Sequence, residues 1–169
     1  MRNFMIAFIM LLALVPQDGS GAAEVLFDSP VIYEHGAPGR PRCIISEDFD
    51  SDGNPDLAVA NDRDIISVFR GRGDGTFEPA INYPAGSDPA SIASADFNRD
   101  GIPDLVVGNE SSQDFYVFLG YGDCQFYYYW DYRIGIHISS ITCADFNEDG
   151  NNDFAIASGP ADRVQVYIG

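Results

Sequence analysis

The 169-residue sequence has no lysine. Its nine basic residues are all arginines, set against 26 acidic ones for a net charge of −17. A surface of that sign repels phosphate, which excludes nucleic acid as a partner. The two histidines, His35 and His137, stand alone, and no CxxC pair or His/Cys cluster offers a zinc site. Cys43, Cys124 and Cys143 allow at most one internal disulfide and leave one thiol over. No Ser/His/Asp arrangement, nucleophile elbow or phosphate loop is present, so the chain is not expected to be an enzyme. Long apolar runs are missing too: Phe4 to Val15, 12 residues, is too short for an ordinary spanning helix. Arg2 before that run and the small residues Gly19 to Ala23 after it read as a signal peptide over residues 1–23, with an uncleaved anchor as the alternative. Residues 24–169 are then expected to be secreted or held at the cell surface or in the periplasm, with no membrane span after cleavage.

What the chain has is organised acidity. Three short strings lie 48 and 49 residues apart: DFDSDGNPD (Asp48 to Asp56), DFNRDGIPD (Asp96 to Asp104) and DFNEDGNND (Asp145 to Asp153). Each puts oxygen-bearing side chains at positions 1, 3, 5 and 9 and glycine at 6, the layout a hard cation needs where the chain turns sharply. The ligands are Asp48, Asp50, Asp52 and Asp56; then Asp96, Asn98, Asp100 and Asp104; then Asp145, Asn147, Asp149 and Asp153. Position 12, the closing carboxylate of an EF-hand, is Val59, Val107 or Ile156, so that motif is excluded. Acidic Asx-type turns without metal are the alternative reading.

The loops sit in a longer repeat. PRCIISEDF, PASIASADF and HISSITCADF precede them, and LAVAN, LVVGN and FAIAS follow, all strand-like. A third run, ISVFRG, FYVFLG or VQVYIG, leads into a tight turn, GRGDGTF (Gly71 to Phe77) or GYGDCQF (Gly120 to Phe126). Cys124 replaces Gly75 there, so distortion of the second turn is expected. A fourth strand is read in FEPAINYPAG (Phe77 to Gly86) and FYYYWDYRIG (Phe126 to Gly135). Four strands in each of these units match a blade of a β-propeller.

The strings DFNRDGIPDLVVGN, VFLGYGDCQF and RGDGTFEPAINYPAGSDPASIASADFN resemble the FG-GAP/VCBS repeats of integrin α-subunit-type propellers, over nearly all of residues 24–169. The resemblance implies an all-β fold, an array of three four-stranded antiparallel blades forming a partial propeller. It also implies Ca²⁺ in the loops at 48–56, 96–104 and 145–153, about three ions per chain. The backbone carbonyls of Asn54, Ile102 and Asn151 join the side-chain ligands on the same ground. Members of the family serve as adhesins, lectins or accessory modules, so the implied role is binding or adhesion, to a glycan or a protein. A purely structural repeat within a larger surface protein or enzyme is the alternative.

Propellers usually close with about four to eight blades, so two chains, or further blades, are expected to complete a ring. VLFDSPVIYEHG (Val25 to Gly36) reads as a fourth strand, because Tyr33 and Gly36 echo Tyr83 and Gly86. In Phe126 to Tyr132, a period of two puts Phe126, Tyr128, Trp130 and Tyr132 on one face and Tyr127, Tyr129 and Asp131 on the other; one face is expected to pack between blades, and a platform for stacking on sugar rings is read at Tyr127, Tyr129 and Trp130. Arg72-Gly73-Asp74 falls inside the repeat's own turn and is read as part of it. Ligand charge ranks the first loop as the tightest Ca²⁺ site, and the second, which carries Arg99, as the weakest.

Overall fold

β-Branched and aromatic runs punctuated by Gly, Asp, Asn and Pro favour strands joined by tight turns. The computed structural model describes residues 29–169 and shows eleven strands and no helix among them. The signal-peptide reading of residues 1–23 lies outside the described residues. Within the described residues no helix is long and apolar enough to cross a membrane.

The first sheet is an antiparallel meander of β1 (Pro41–Glu47), β2 (Asp56–Asn61), β3 (Ile65–Phe69) and β4 (Ile81–Pro84). The second repeats it with β5 (Pro89–Ala95), β6 (Asp104–Asn109), β7 (Asp114–Gly120) and β8 (Phe126–Arg133). The third holds β9 (Ser140–Ala144), β10 (Asp153–Ser158) and β11 (Arg163–Tyr167), the three strands read for that repeat. Registers coincide: Val59 lies opposite Ile44 and Ser67, Val107 opposite Ile92 and Tyr116, Ile156 opposite Ile141 and Gln165. The first strands β1, β5 and β9 adjoin in turn, so the sheets stack face to face about a shared inner edge.

Alternation along each strand then sends side chains to both faces. Ala58, Ala60, Ile66 and Val68 of the first sheet bury against Ile92, Leu105, Val107 and Phe118 of the second. The opposite face of the second sheet, Val106, Phe115 and Val117, buries against Ile141 and Ile156 of the third. Phe115 is fully buried at its centre, with ring centroids 4.9 Å from Phe154, 5.2 Å from Tyr167 and 5.7 Å from Trp130. Arg42 of β1 pairs across the first junction with Glu110 at 2.7 Å.

Three expectations are corrected. Pro79 and Pro84 lack the amide a ladder needs, and the fourth strand read from Phe77 to Gly86 shrinks to Ile81–Pro84, Phe77 keeping one isolated bridge to Gly71. Of the segment read as a strand over 25–36, residues 29–36 are irregular. Tyr33 nonetheless accepts the Phe77 amide proton at 3.3 Å and meets its ring edge-on at 5.5 Å, just as Tyr83 accepts from Phe126 at 3.2 Å and meets it at 6.1 Å. The segment thus makes the fourth-strand contact of a preceding blade without joining a sheet. Lastly, a bulge leaves Tyr129 unpaired between Trp130, opposite Val117, and Tyr128, opposite Phe118. A bulge shifts the alternation by one residue. Tyr128 therefore packs on Tyr116 and Phe118, while Trp130 and Tyr132 pack on Phe115 through the other face.

Because Phe115 has no route to solvent and packs against four rings, Phe115→Ala is expected to cost about 3–5 kcal/mol in urea unfolding.

Candidate metal centre

Each acidic loop joins the first and second strands of its own sheet, and the three close in the same way. The first carboxylate reaches over the turn: Asp48, Asp96 and Asp145 each accept the amide proton of the glycine at position 6, at 2.9, 2.8 and 2.8 Å. The fifth-position carboxylate accepts from position 7, so Asp52, Asp100 and Asp149 take the amides of Asn54, Ile102 and Asn151, each at 2.8 Å. Those amides are the main cause holding the Asp52 and Asp149 carboxyls below the ordinary range. Position 4 lies in the left-handed region at φ 59°, 64° and 60°, although its residues are Ser51, Arg99 and Glu148. Such φ values are unfavourable for residues with a side chain, so the loop imposes the conformation and the residue type does not.

The ninth carboxylate is a fixed structural acceptor. Asp56, Asp104 and Asp153 are all fully buried. One oxygen of each accepts the amide of the loop phenylalanine: Phe49 at 2.8 Å, Phe97 at 2.9 Å, Phe146 at 2.8 Å. The other accepts from Gly71, Gly120 or Gly169, the last residue of the third-strand run, at 2.7, 2.9 and 2.8 Å. A Cβ at those glycines would stand 2.1, 2.5 and 2.3 Å from the carbonyl oxygens of Pro55, Pro103 and Asn152. Only glycine lets the strand end approach so closely. Burial raises the Asp104 pKa, and the Gly120 and Phe97 amides oppose that rise.

Position 3 differs between loops. Asn98 and Asn147 donate Nδ2 to Asp100 and Asp149 at 2.9 Å. Asp50 has no proton to give, and Arg70 supplies the missing charge: its Nε lies 2.5 Å from Asp50 Oδ2 and its Nη2 3.5 Å from Asp52 Oδ2. Arg70 escaped the sequence reading, although its repeat counterparts are the uncharged Leu119 and Ile168, a signal that was there to find.

The donor set fits a hard divalent cation. Asp48, Asp50 and Asp52 each offer a carboxylate oxygen within 4.8 Å of the others, and Asn98 and Asn147 offer an amide oxygen at the same position of the other loops. Calcium takes such oxygens at about 2.3–2.6 Å. Asp50, Asp56 and Cys124 also come within 4.8 Å of one another, but there the thiol donates to Asp56 at 3.1 Å. Burial, reinforced by that carboxylate, pushes the Cys124 thiol well above its usual value. Its turn is not distorted as expected: Cys124 adopts φ 60°, and Tyr121 bonds Gln125 at 2.9 Å as Arg72 bonds Thr76 at 2.9 Å. The three cysteines are unpaired. Asp74 is spent within its own turn, accepting from Thr76 at 2.9 and 2.6 Å.

The aromatic platform divides. Tyr129 and Trp130 line a cleft of about 190 Å³ with Phe154 and Tyr167, whereas Tyr127 lies against Tyr121, ring centroids 4.8 Å apart.

The family model of the FG-GAP-like repeat matches residues 48–107 and 96–156, each match running from one acidic loop into the second strand of the next repeat. Two crystal structures of BBS1N in complex with ARL6DN, one soaked with mercury and one with lead, resemble the chain at TM-scores of 0.55 and 0.54. They are 14% and 13% identical to it over 77% and 78% of its length, so the likeness is one of fold. The chain spans 38% of the length of each. No curated protein matches the sequence significantly.

Replacing a buried acceptor strands both of its donors. Asp104→Ala is therefore expected to destabilise the protein by about 2–4 kcal/mol in urea with chelator present. The exposed Asp123→Ala should change stability by less than about 0.5 kcal/mol.

Proposed function

Because the chain belongs to the FG-GAP-like repeat family, we propose that it is an exported, calcium-stabilised propeller segment that works as a non-catalytic binding or adhesion module. Its ligand is a glycan or a protein. The observation that carries this reading is the identity of the three loops: three different sequences close on one geometry, in which the position-5 amide of each draws in side-chain oxygens from positions 1 and 3. Neighbouring carboxylates about 4 Å apart repel by roughly 1–4 kcal/mol per pair at the dielectrics of water and protein surface. A bound cation converts that repulsion into a tie between first and second strands. The cleft beside Tyr129 and Trp130 supports ring stacking with a sugar.

The end faces support assembly. Val164 and Val166 of β11 are 67% and 52% exposed, yet their counterparts Ile66 and Val68, and Phe115 and Val117, are buried between sheets. At the other end Ile44, Leu57, Val59 and Phe69 line an apolar cleft of about 380 Å³ beneath Tyr33. A second copy or further blades of the same type cover these faces and complete a ring.

Three measurements test the reading. Ca²⁺ is expected to raise the melting temperature and chelator to lower it, a ligand at a hundredfold excess over its Kd contributing about 2.7 kcal/mol; an unchanged melting temperature contradicts calcium stabilisation. On arrays of immobilised glycans and matrix proteins at millimolar Ca²⁺, retention on a discrete set supports the binding role. Retention on none favours the purely structural alternative. Light scattering is expected to show an assembly that Val166→Arg dissociates, and a wild-type monomer at all concentrations contradicts assembly.

A further inference from the structure

At the ligand positions 1, 3, 5 and 9 the first loop differs from the others by one charge, and the fold answers that charge with another. Asp50 stands where Asn98 and Asn147 stand, and Arg70 where Leu119 and Ile168 stand. The one repeat with a carboxylate at position 3 is the one with an arginine just after its third strand. The Asp50 side chain is only 2% exposed, and its Oδ2 makes no hydrogen bond of normal geometry. That buried oxygen is held by the Arg70 Nε at 2.5 Å alone, while the Nη2 reaches Asp52 Oδ2 at 3.5 Å. In the second and third loops the matching fifth-position oxygen is held by an asparagine amide at 2.9 Å. The guanidinium therefore lies between the two carboxylates at positions 3 and 5, against oxygens that a divalent ion in this loop would need.

We propose that Arg70 is the resident cation of the first loop and excludes a divalent ion from it. The inference rests on the calcium reading of the second and third loops. It reverses the ranking that ligand charge alone gives. Asp50 adds a carboxylate that Arg70 cancels, so an entering Ca²⁺ must displace a guanidinium already paired with a buried partner. At the Arg70 position the second and third loops carry aliphatic residues, and Arg99, although its charge is felt at Asp149, forms no ion pair with a carboxylate of either loop. The chain then takes two Ca²⁺ at the affinity of those two loops, and the first sheet is tied by its own arginine independently of calcium.

Calorimetric titration of the full chain with CaCl₂ tests this, with melting in chelator as a second readout. Wild type is expected to show two binding events. Asp100→Ala and Asp149→Ala should each remove one, and Asp52→Ala should leave both. Arg70→Leu, which installs the residue of the second repeat, is expected to add a third event by raising first-loop affinity at least about tenfold, since a unit charge beside the ion is removed. In chelator the same variant should melt below wild type, because four carboxylates lose their counter-cation, and Ca²⁺ should restore it. The double variant Asp50→Asn/Arg70→Leu, with the second loop's donor set, should show a third event and no loss of stability in chelator. Three events in wild type, one of them removed by Asp52→Ala and none altered by Arg70→Leu, overturn the proposal and leave the calcium reading standing. Absence of any event in wild type and in every variant overturns both.

Discussion

A carboxylate buried at the root of each acidic loop holds the architecture together. Burying an ionised acid is costly unless both oxygens are satisfied. Here each is, by two charge-assisted bonds to backbone amides. One amide belongs to the loop itself and the other to the glycine that ends the third-strand run, so a single side chain ties the loop between strands one and two to the far side of strand two. That tie recurs at Asp56, Asp104 and Asp153. The glycine is required because any Cβ at that point would strike a backbone carbonyl.

With its root fixed, the rest of each loop has little freedom. The first and fifth carboxylates bond amides across the turn, and position 4 is forced to positive φ whatever residue sits there. The side-chain oxygens at positions 1, 3 and 5 are thereby gathered before any ion arrives, which lowers the ordering cost of binding. Stability between sheets has another origin. The middle sheet is buried on both faces, through Leu105, Val107 and Phe118 on one side and Val106, Phe115 and Val117 on the other. The outer sheets are each buried on one face only, which leaves Val164 and Val166 in solvent.

Much of this was legible in the sequence because the repeat reports itself three times. The loop positions, the order of strands and the glycines at 71, 120 and 169 follow from register alone. What was hidden depends on contacts between segments. The bulge at Tyr129 cannot be seen in a run of aromatics, and it moves Trp130 to the face opposite Tyr128. Pro79 and Pro84 signalled a shortened fourth strand, but periodicity masked them. The double role of the ninth aspartate was half visible: its spacing marked it as a loop residue, whereas its bond to a glycine about fifteen positions later needs the hairpin to be folded. Arg70 is the instructive omission. Counting ligands loop by loop assigned the first loop the most charge, and the cancelling charge lay one strand away, in the same register.

The central claim is that the second and third loops hold calcium through side-chain oxygens at positions 1, 3 and 5 and the carbonyl at position 7. Anomalous diffraction from crystals grown with Ca²⁺ tests it most directly. The account predicts an ion about 2.3–2.6 Å from the oxygens of Asp96, Asn98, Asp100 and Ile102, and another among those of Asp145, Asn147, Asp149 and Asn151. Second and third loops without an ion at millimolar Ca²⁺ would contradict it.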